Sequence, residues 1–243
     1  MGDILFVRAI QDVPAHTQVF INYCGNAEYS DRHSVLSRFL GEAGCLCGLC
    51  QDDREDGKAA MSVRKTVVDT RLRRYYGEQA LDGKASAAAL EARISDIKDD
   101  IAKIVASYSS RRRSHLRPEL FRLHLDLALH LGQLARCQDR QPRDSAQDII
   151  AQHRLALDSV GVVIDPGLSN PIVSLPMAFQ QEAIMSVIQI ATTFQALGEA
   201  GDASRWLVAA KVMHKKLVSR SDDLFEDRYA EILDMMGLRG GTL

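Results

Sequence analysis

Apolar positions change period once along the chain. Residues 4–9 and 18–23 are short apolar runs rich in β-branched and aromatic side chains, bracketing Asp12-Val13-Pro14, a pattern that predicts two strands around a turn. Residues 31–40 then place Val35, Leu36 and Phe39 at helical spacing, and 62–76 predict a basic helix that ends before Asp82-Gly83. From residue 85 onward the period is helical. Leu90, Ile94, Ile97, Ile101, Ile104 and Tyr108 recur at steps of four and three, one apolar stripe on an otherwise charged helix. Pro118 opens a leucine-rich helix reaching about Arg136, with leucine on more than one face. Asp144 or Ser145 is placed to cap a third helix, with Ile149, Ile150, His153, Leu157 and Val160 inward. Residues 161–176, with glycine and three prolines, read as a long loop. A fourth helix over 177–197 ends at Gly198, Asp202 caps a fifth to about Val218, and Ser221 caps a sixth ending near Met236.

The fold class that follows is mainly α, with a small β segment in front. Residues 51–58 are dense in charge and contain Gly57, which puts a domain boundary between 1–57 and 58–243. In the helical part, Ala191, Phe194, Ala203, Leu207 and Ala210 match the spacing of small and bulky residues in a tetratricopeptide repeat. Stacked helix pairs of that kind leave a concave face suited to a peptide.

Composition narrows the setting. Hydrophobic residues make up 46% and charged residues 26%, an ordinary globular balance, so a sizeable core can form. A net charge of −2 gives no drive toward nucleic acid or an anionic membrane, and no run approaches the roughly 20 apolar residues of a membrane span. The N-terminus has no apolar core behind a basic start. Five cysteines, three of them in one run of six residues, argue against a secreted disulfide framework and for a reducing compartment, nucleus or cytoplasm.

That run, Cys45-Leu46-Cys47-Gly48-Leu49-Cys50, carries the chemistry. Thiolates so close do not easily form unstrained disulfides with one another, but they converge readily on one metal ion, and sulfur-only ligation favours zinc. Gly44 and Gly48 permit the sharp turns this needs. A structural zinc site takes four ligands; Cys24 and His33 are local candidates for the fourth, and Cys137 a distant one. Other polar residues read as structural. His124 and His130 are six apart and do not make a helical metal pair, His153 sits at a core edge, and Trp206 packs between helices. Arg111, Arg112 and Arg113, beside His115 and Arg117, read as a solvated helix end, and Asp52-Asp53 and Asp99-Asp100 as surface charge whose adjacent side chains diverge.

Read in order, the N-terminal part runs Gly2-Asp3, Val7-Arg8-Ala9, Asp12-Val13, Val19-Phe20-Ile21-Asn22-Tyr23, Arg32, Leu36, then Cys45-x-Cys47-x-x-Cys50. This order resembles the C-terminal end of a SET domain and its post-SET zinc segment, in the fungal and MYND-associated SET proteins whose catalytic domain is followed by tetratricopeptide-like helices. The resemblance covers about residues 1–55 in motif. It implies an S-adenosylmethionine-dependent protein-lysine methyltransferase, with Tyr23 at the catalytic tyrosine position, Asn22 ending the same strand, and Cys45, Cys47 and Cys50 as zinc ligands. In that family the fourth zinc ligand comes from an Asn-His-x-Cys segment of the SET core, and the cofactor lies against a Gly-x-Gly strand. The 22 residues before Tyr23 contain neither segment. The expectation is therefore a SET remnant that is inactive alone and binds S-adenosylmethionine poorly, as a C-terminal fragment, a truncated gene model or a decayed relative. The alternative is a non-catalytic module whose helices bind a protein or peptide partner beside a vestigial SET remnant. A lysine-bearing protein is the partner implied on the first reading; neither reading fixes the oligomeric state.

Overall fold

The computed structural model describes residues 15, 29–41, 44–78, 85–110, 116–139, 142–175, 180–218, 221–235 and 237. The strands expected at 4–9 and 18–23, with Asn22, Tyr23 and Cys24, lie outside the described residues, as do Arg111, Arg112, Arg113 and His115.

The chain is mainly α, as its periodicity predicts. Helix α1 (Tyr29–Leu40) leads through the cysteine loop into α2 (Gly48–Glu78). Helix α2 is two helical segments meeting at Gly57, whose φ of 87° and ψ of 165° are not helical. The break lies within the charge-dense stretch 51–58, and the ion pairs of Arg64 with Asp53 and Asp56 cross it. Helix α3 (Ala87–Ser107) starts at Ser86, whose side chain accepts from the Ala89 backbone N–H, and α4 (Glu119–Cys137) follows Pro118. Helix α5 (Pro142–Ser159) begins earlier than expected. Pro142 occupies its first position, where a missing N–H costs nothing, so Asp144 and Ser145 lie in the first turn instead of capping it.

The stretch expected as a plain loop contains a small antiparallel hairpin, β1 (Val163–Ile164) with β2 (Ile172–Ser174). Asp165 organises the connection: its backbone N–H donates to Pro171 O at 2.9 Å, and its carboxylate accepts from Gly167 N at 2.9 Å. Helices α6 (Gln180–Ala196) and α7 (Ala200–Leu217) are joined by a tight turn in which Gly198 takes φ of 76°. The expected sixth helix is divided into α8 (Asp222–Arg228), capped by Ser221, and α9 (Ala230–Met235). The division is at Tyr229, whose ring stacks tilted on Phe225 at 4.9 Å and edge-on to His214 at 6.1 Å. No helix among the described residues is long and apolar enough to cross a membrane.

From α3 to α7 each helix packs on the next in sequence. Two apolar clusters result. One joins Val67 of α2, Ile94, Ile97 and Ile104 of α3, and Leu120, Leu123 and Leu127 of α4. The other runs from Phe121 of α4 through α5, α6 and α7 to Phe225, Tyr229 and Leu233. Helix α4 serves both, which is why its leucines occupy more than one face. Each fully buried Ile, Leu or Phe contributes roughly 1.5–3 kcal/mol of transfer free energy, and Ile97, Ile104, Phe121, Ile184, Ile188 and Leu207 are at or below 1% exposure. Ala191, Ala203, Leu207 and Ala210 are buried and Phe194 packs against the second cluster, as their spacing predicts. His153 is buried against Ser186, ring nitrogen to hydroxyl 3.2 Å, and burial pushes its pKa down to about 4, so it sits in the core as a neutral ring. Trp206 is buried with the Arg154 guanidinium over its face, 5.2 Å from the ring centroid.

We propose that residues 58–243 form a folding unit. The stripe of α3 is covered by α4 and by the part of α2 after Gly57, and the larger cluster has no member before Phe121. The segment 59–243, expressed alone, is expected to show strong helical circular dichroism and one cooperative thermal transition. A gradual melt without a transition would move the boundary.

Candidate metal centre

The three cysteines are brought together by local backbone chemistry. Gly44 takes φ of 65°, a left-handed conformation that side chains resist, and its N–H donates to Gly41 O at 3.1 Å. The loop is then tied to the first turns of α2. The Gln51 side chain donates to Leu46 O at 2.7 Å, the Arg54 guanidinium donates to Cys45 O at 2.9 Å, and the Gln51 backbone N–H donates to Cys47 O at 3.0 Å. Cys47 therefore stands just ahead of α2, and Cys50 lies in its first turn. The three sulfurs lie within 4.8 Å of one another. In a tetrahedral site with zinc–sulfur bonds near 2.3 Å, neighbouring sulfurs are about 3.8 Å apart. The donor set thus fits a thiophilic ion with small inward movement, and among the described residues it offers three ligands.

The cluster is buried on one side and open on the other. Cys50 is 3% exposed, Cys45 is half-buried and Cys47 is exposed. The Cys50 thiol donates to Cys47, and this hydrogen bond holds the Cys47 pKa down to about 5 against partial burial, with Cys45 and the Arg32 charge helping. Cys50 is pushed up by the same hydrogen bond and by burial. The two sulfurs share one proton and titrate as a pair. Arg32, on α1, forms an ion pair with Asp53, one turn along α2 from Cys50, and its positive charge acts on the Cys50 thiol.

The candidates for a fourth ligand separate. The His33 ring lies against Gly44, with Cδ2 and Nε2 3.6 Å from where a Cβ would stand, and its nitrogens are not among the converging ligand atoms. Cys137 ends α4, where its thiol faces Ala85 O at 3.7 Å. It is the length of a 19-residue helix, about 28 Å, from Glu119 at the other end, which is beside the Arg64 network described next. Cys137 is therefore removed from the ligand set. Cys24 and the proposed catalytic Tyr23 lie outside the described residues.

Behind the thiols lies a group that the sequence reading places wrongly. Asp52 and Asp53 are 1% and 0% exposed, not surface charge. Asp53 is shared between Arg32 and Arg64, the latter at 3.3 Å. Arg64 also reaches Asp56 at 3.0 Å and Glu119 at 3.7 Å, and lies 4.6 Å from the centre of the Tyr108 ring. Tyr108 donates to Glu119 at 2.7 Å, and Ser109 N donates to Asp56 at 2.8 Å. Burial pushes the Glu119 pKa up, opposed by the Tyr108 hydrogen bond. Of the second acidic pair, Asp99 is exposed as expected, while Asp100 is partly buried and pairs with Arg71 at 3.1 Å. A signal for the network was present: Asp53 and Asp56 are i and i+3 on one helical face, and Arg64 stands in the stripe completed by Val67 and Val68.

No protein-family model matches this chain, and no solved structure matches it. Over 81 residues the chain is 35% identical to a "Methyltransferase" from Gibberella zeae. The matched stretch covers 32% of this chain and 11% of that protein. The chain is thus similar, over about a third of its length, to a methyltransferase several times longer.

Two outcomes follow from the geometry. With three converging thiols and an open side, zinc is expected to bind but to be lost on dialysis against a strong chelator, and Cys50→Ser is expected to prevent loading. Stoichiometric zinc kept through dialysis, and unchanged in Cys24→Ser and His33→Ala, would show that another group closes the site. In the metal-free protein, alkylation of Cys47 by iodoacetamide should rise through about pH 5 and be level by neutrality, because the thiolate is present above its depressed pKa. A midpoint near the ordinary thiol value of about 8.5 would contradict the shared-proton pair.

Proposed function

We propose that this chain is the C-terminal part of an S-adenosylmethionine-dependent protein-lysine methyltransferase of the SET type, and that Cys45, Cys47 and Cys50 hold its post-SET zinc. The observation that carries the reading is the convergence of three thiols in the spacing Cys-x-Cys-x-x-Cys, in a chain partly identical to a methyltransferase. Zinc there would supply no redox or acid–base chemistry; it would fix the cysteine loop as one wall of the substrate channel. The loop's own residues prepare that wall: Gly44 turns it, and Gln51 and Arg54 fasten its carbonyls to α2. On this reading the Tyr23 phenol orients the amine of a lysine-bearing protein, which must be neutral to attack a methyl group in line. The residues before Tyr23 hold neither a Gly-x-Gly strand nor an Asn-His segment, so no residue of this chain is assigned to the methyl donor.

A second reading, a non-catalytic interaction module, is favoured by a groove of about 820 Å³ between α4, α5 and α6. Leu125, Leu129, Ile149 and Met185 give it apolar walls, with Gln189 and Arg136 as polar contacts. A peptide segment laid along tetratricopeptide-like helices would meet apolar walls there, with Arg136 and Glu182 as charged contacts.

The readings part in one experiment. The coding sequence upstream of Met1 is determined and the longer in-frame product expressed. An upstream Gly-x-Gly and Asn-His segment is expected, with labelled-methyl transfer to lysine that falls at least a hundredfold in Tyr23→Phe. The present chain alone is expected to bind S-adenosylmethionine no better than the high micromolar range by calorimetry. A longer product that transfers no methyl group, or transfers it undiminished in Tyr23→Phe, overturns the catalytic reading in favour of the interaction module.

A further inference from the structure

Buried charges run without interruption from the thiol cluster to the helical array. Arg32 pairs with Asp53, which stands three residues from Cys50 on α2, so the guanidinium charge acts on the Cys50 thiol; Asp53 touches Arg64; Arg64 touches Asp56, Glu119 and the face of Tyr108. Arg32 is 5% exposed, Asp53 0%, Arg64 2% and Glu119 5%, so water cannot readily replace a partner that withdraws.

We propose that this line makes metal binding at the cysteines and the packing of α4 one coupled event, with Arg32 as the positioning residue of the metal centre. The proposal rests on the metal reading of Cys45, Cys47 and Cys50. Sulfur bound to a metal carries negative charge, and a nearby guanidinium attracts a charged sulfur more strongly than a neutral one. Arg32 therefore holds the loaded cluster more tightly than the empty one. Where Arg32 sits is set by Asp53, and Asp53 is held by Arg64, itself fixed by groups from the ends of α3 and α4. What steadies the array thus steadies the guanidinium that the metal centre uses. By reciprocity, loading the metal must steady the array by the same free energy. The path is carried by discrete contacts between packed elements, each end biasing the arrangement of the other.

The test uses the whole chain and Co²⁺, whose thiolate charge-transfer absorption reports binding directly. Cobalt is titrated into the wild-type protein, R32M and R32K, and amide hydrogen exchange is compared with and without metal. Loss of a group that orients metal ligands costs about 10- to 100-fold in affinity, so R32M is expected to bind cobalt at least tenfold more weakly. R32K, which keeps the charge without the forked donor, should fall between R32M and wild type. Loading is expected to slow exchange at residues 119–124 as well as at 44–53. Wild-type affinity in R32M, or protection confined to 44–53, overturns the coupling. The exchange arm uses the wild-type chain, so it decides the matter even where R32M does not fold. A wild-type chain that develops no charge-transfer band would remove the metal reading itself, and this proposal with it.

Discussion

Asp53 is the residue on which the arrangement turns. Its carboxylate is wholly buried and held between two guanidiniums, one from α1 and one from the second half of α2. Burying a charge costs several kcal/mol even when it is paired, and replacing a whole buried set by apolar side chains is often neutral or better. Breaking such a set by removing one member is different, costing about 3–5 kcal/mol because the rest stay buried and mismatched. The network is therefore weak as a source of net stability and strong as a constraint. It admits one mutual placement of α1, both halves of α2, the end of α3 and the start of α4, since each contributes a charged or polar group that must be met.

The cysteine loop inherits that placement. Cys50 and Asp53 are three residues apart on α2, so the face that presents the thiol also presents the carboxylate, and Arg32 pairs with the carboxylate while its charge acts on the thiol. The turn at Gly44 and the fastenings to Gln51 and Arg54 bring the sulfurs together locally. The charged network then fixes the direction in which the assembled cluster faces. A cluster built by local turns alone would pivot about Gly44; one that shares an arginine with a buried aspartate cannot.

Much of this was legible in the sequence, for physical reasons. The stripe from Leu90 to Ile104 reads correctly because one helix face must be apolar wherever two helices cover it. The cysteine run was legible as a cluster because its spacing keeps the three sulfurs within reach of one another. The hairpin around Asp165 was not legible: two strands of two and three residues carry too little alternation to outweigh Gly167 and three prolines. The break at Tyr229 was hidden because the aromatic cluster behind it, Phe225 and His214, is tertiary. Asp53 was misread by comparing it with its neighbour Asp52 when the informative partner was Asp56, one turn on. Arg64 is the complementary clue, since an arginine in an apolar stripe is buried with partners or does not stay there. Its partners lie 11 residues before it on the far side of a helix break and 55 after it, which no local window links.

The sidedness of the thiol cluster constrains how a metal site there would be completed. The buried flank is taken: Cys50 faces inward, and the group against it is the Arg32 guanidinium, a cation with no lone pair to offer a metal. A fourth ligand must then arrive from the flank of exposed Cys47. Among the described residues no fourth ligand atom converges with the three sulfurs, and Cys137 stands at the far end of α4. The helical array lies on the other side of Arg32, reached through Asp53 and Arg64.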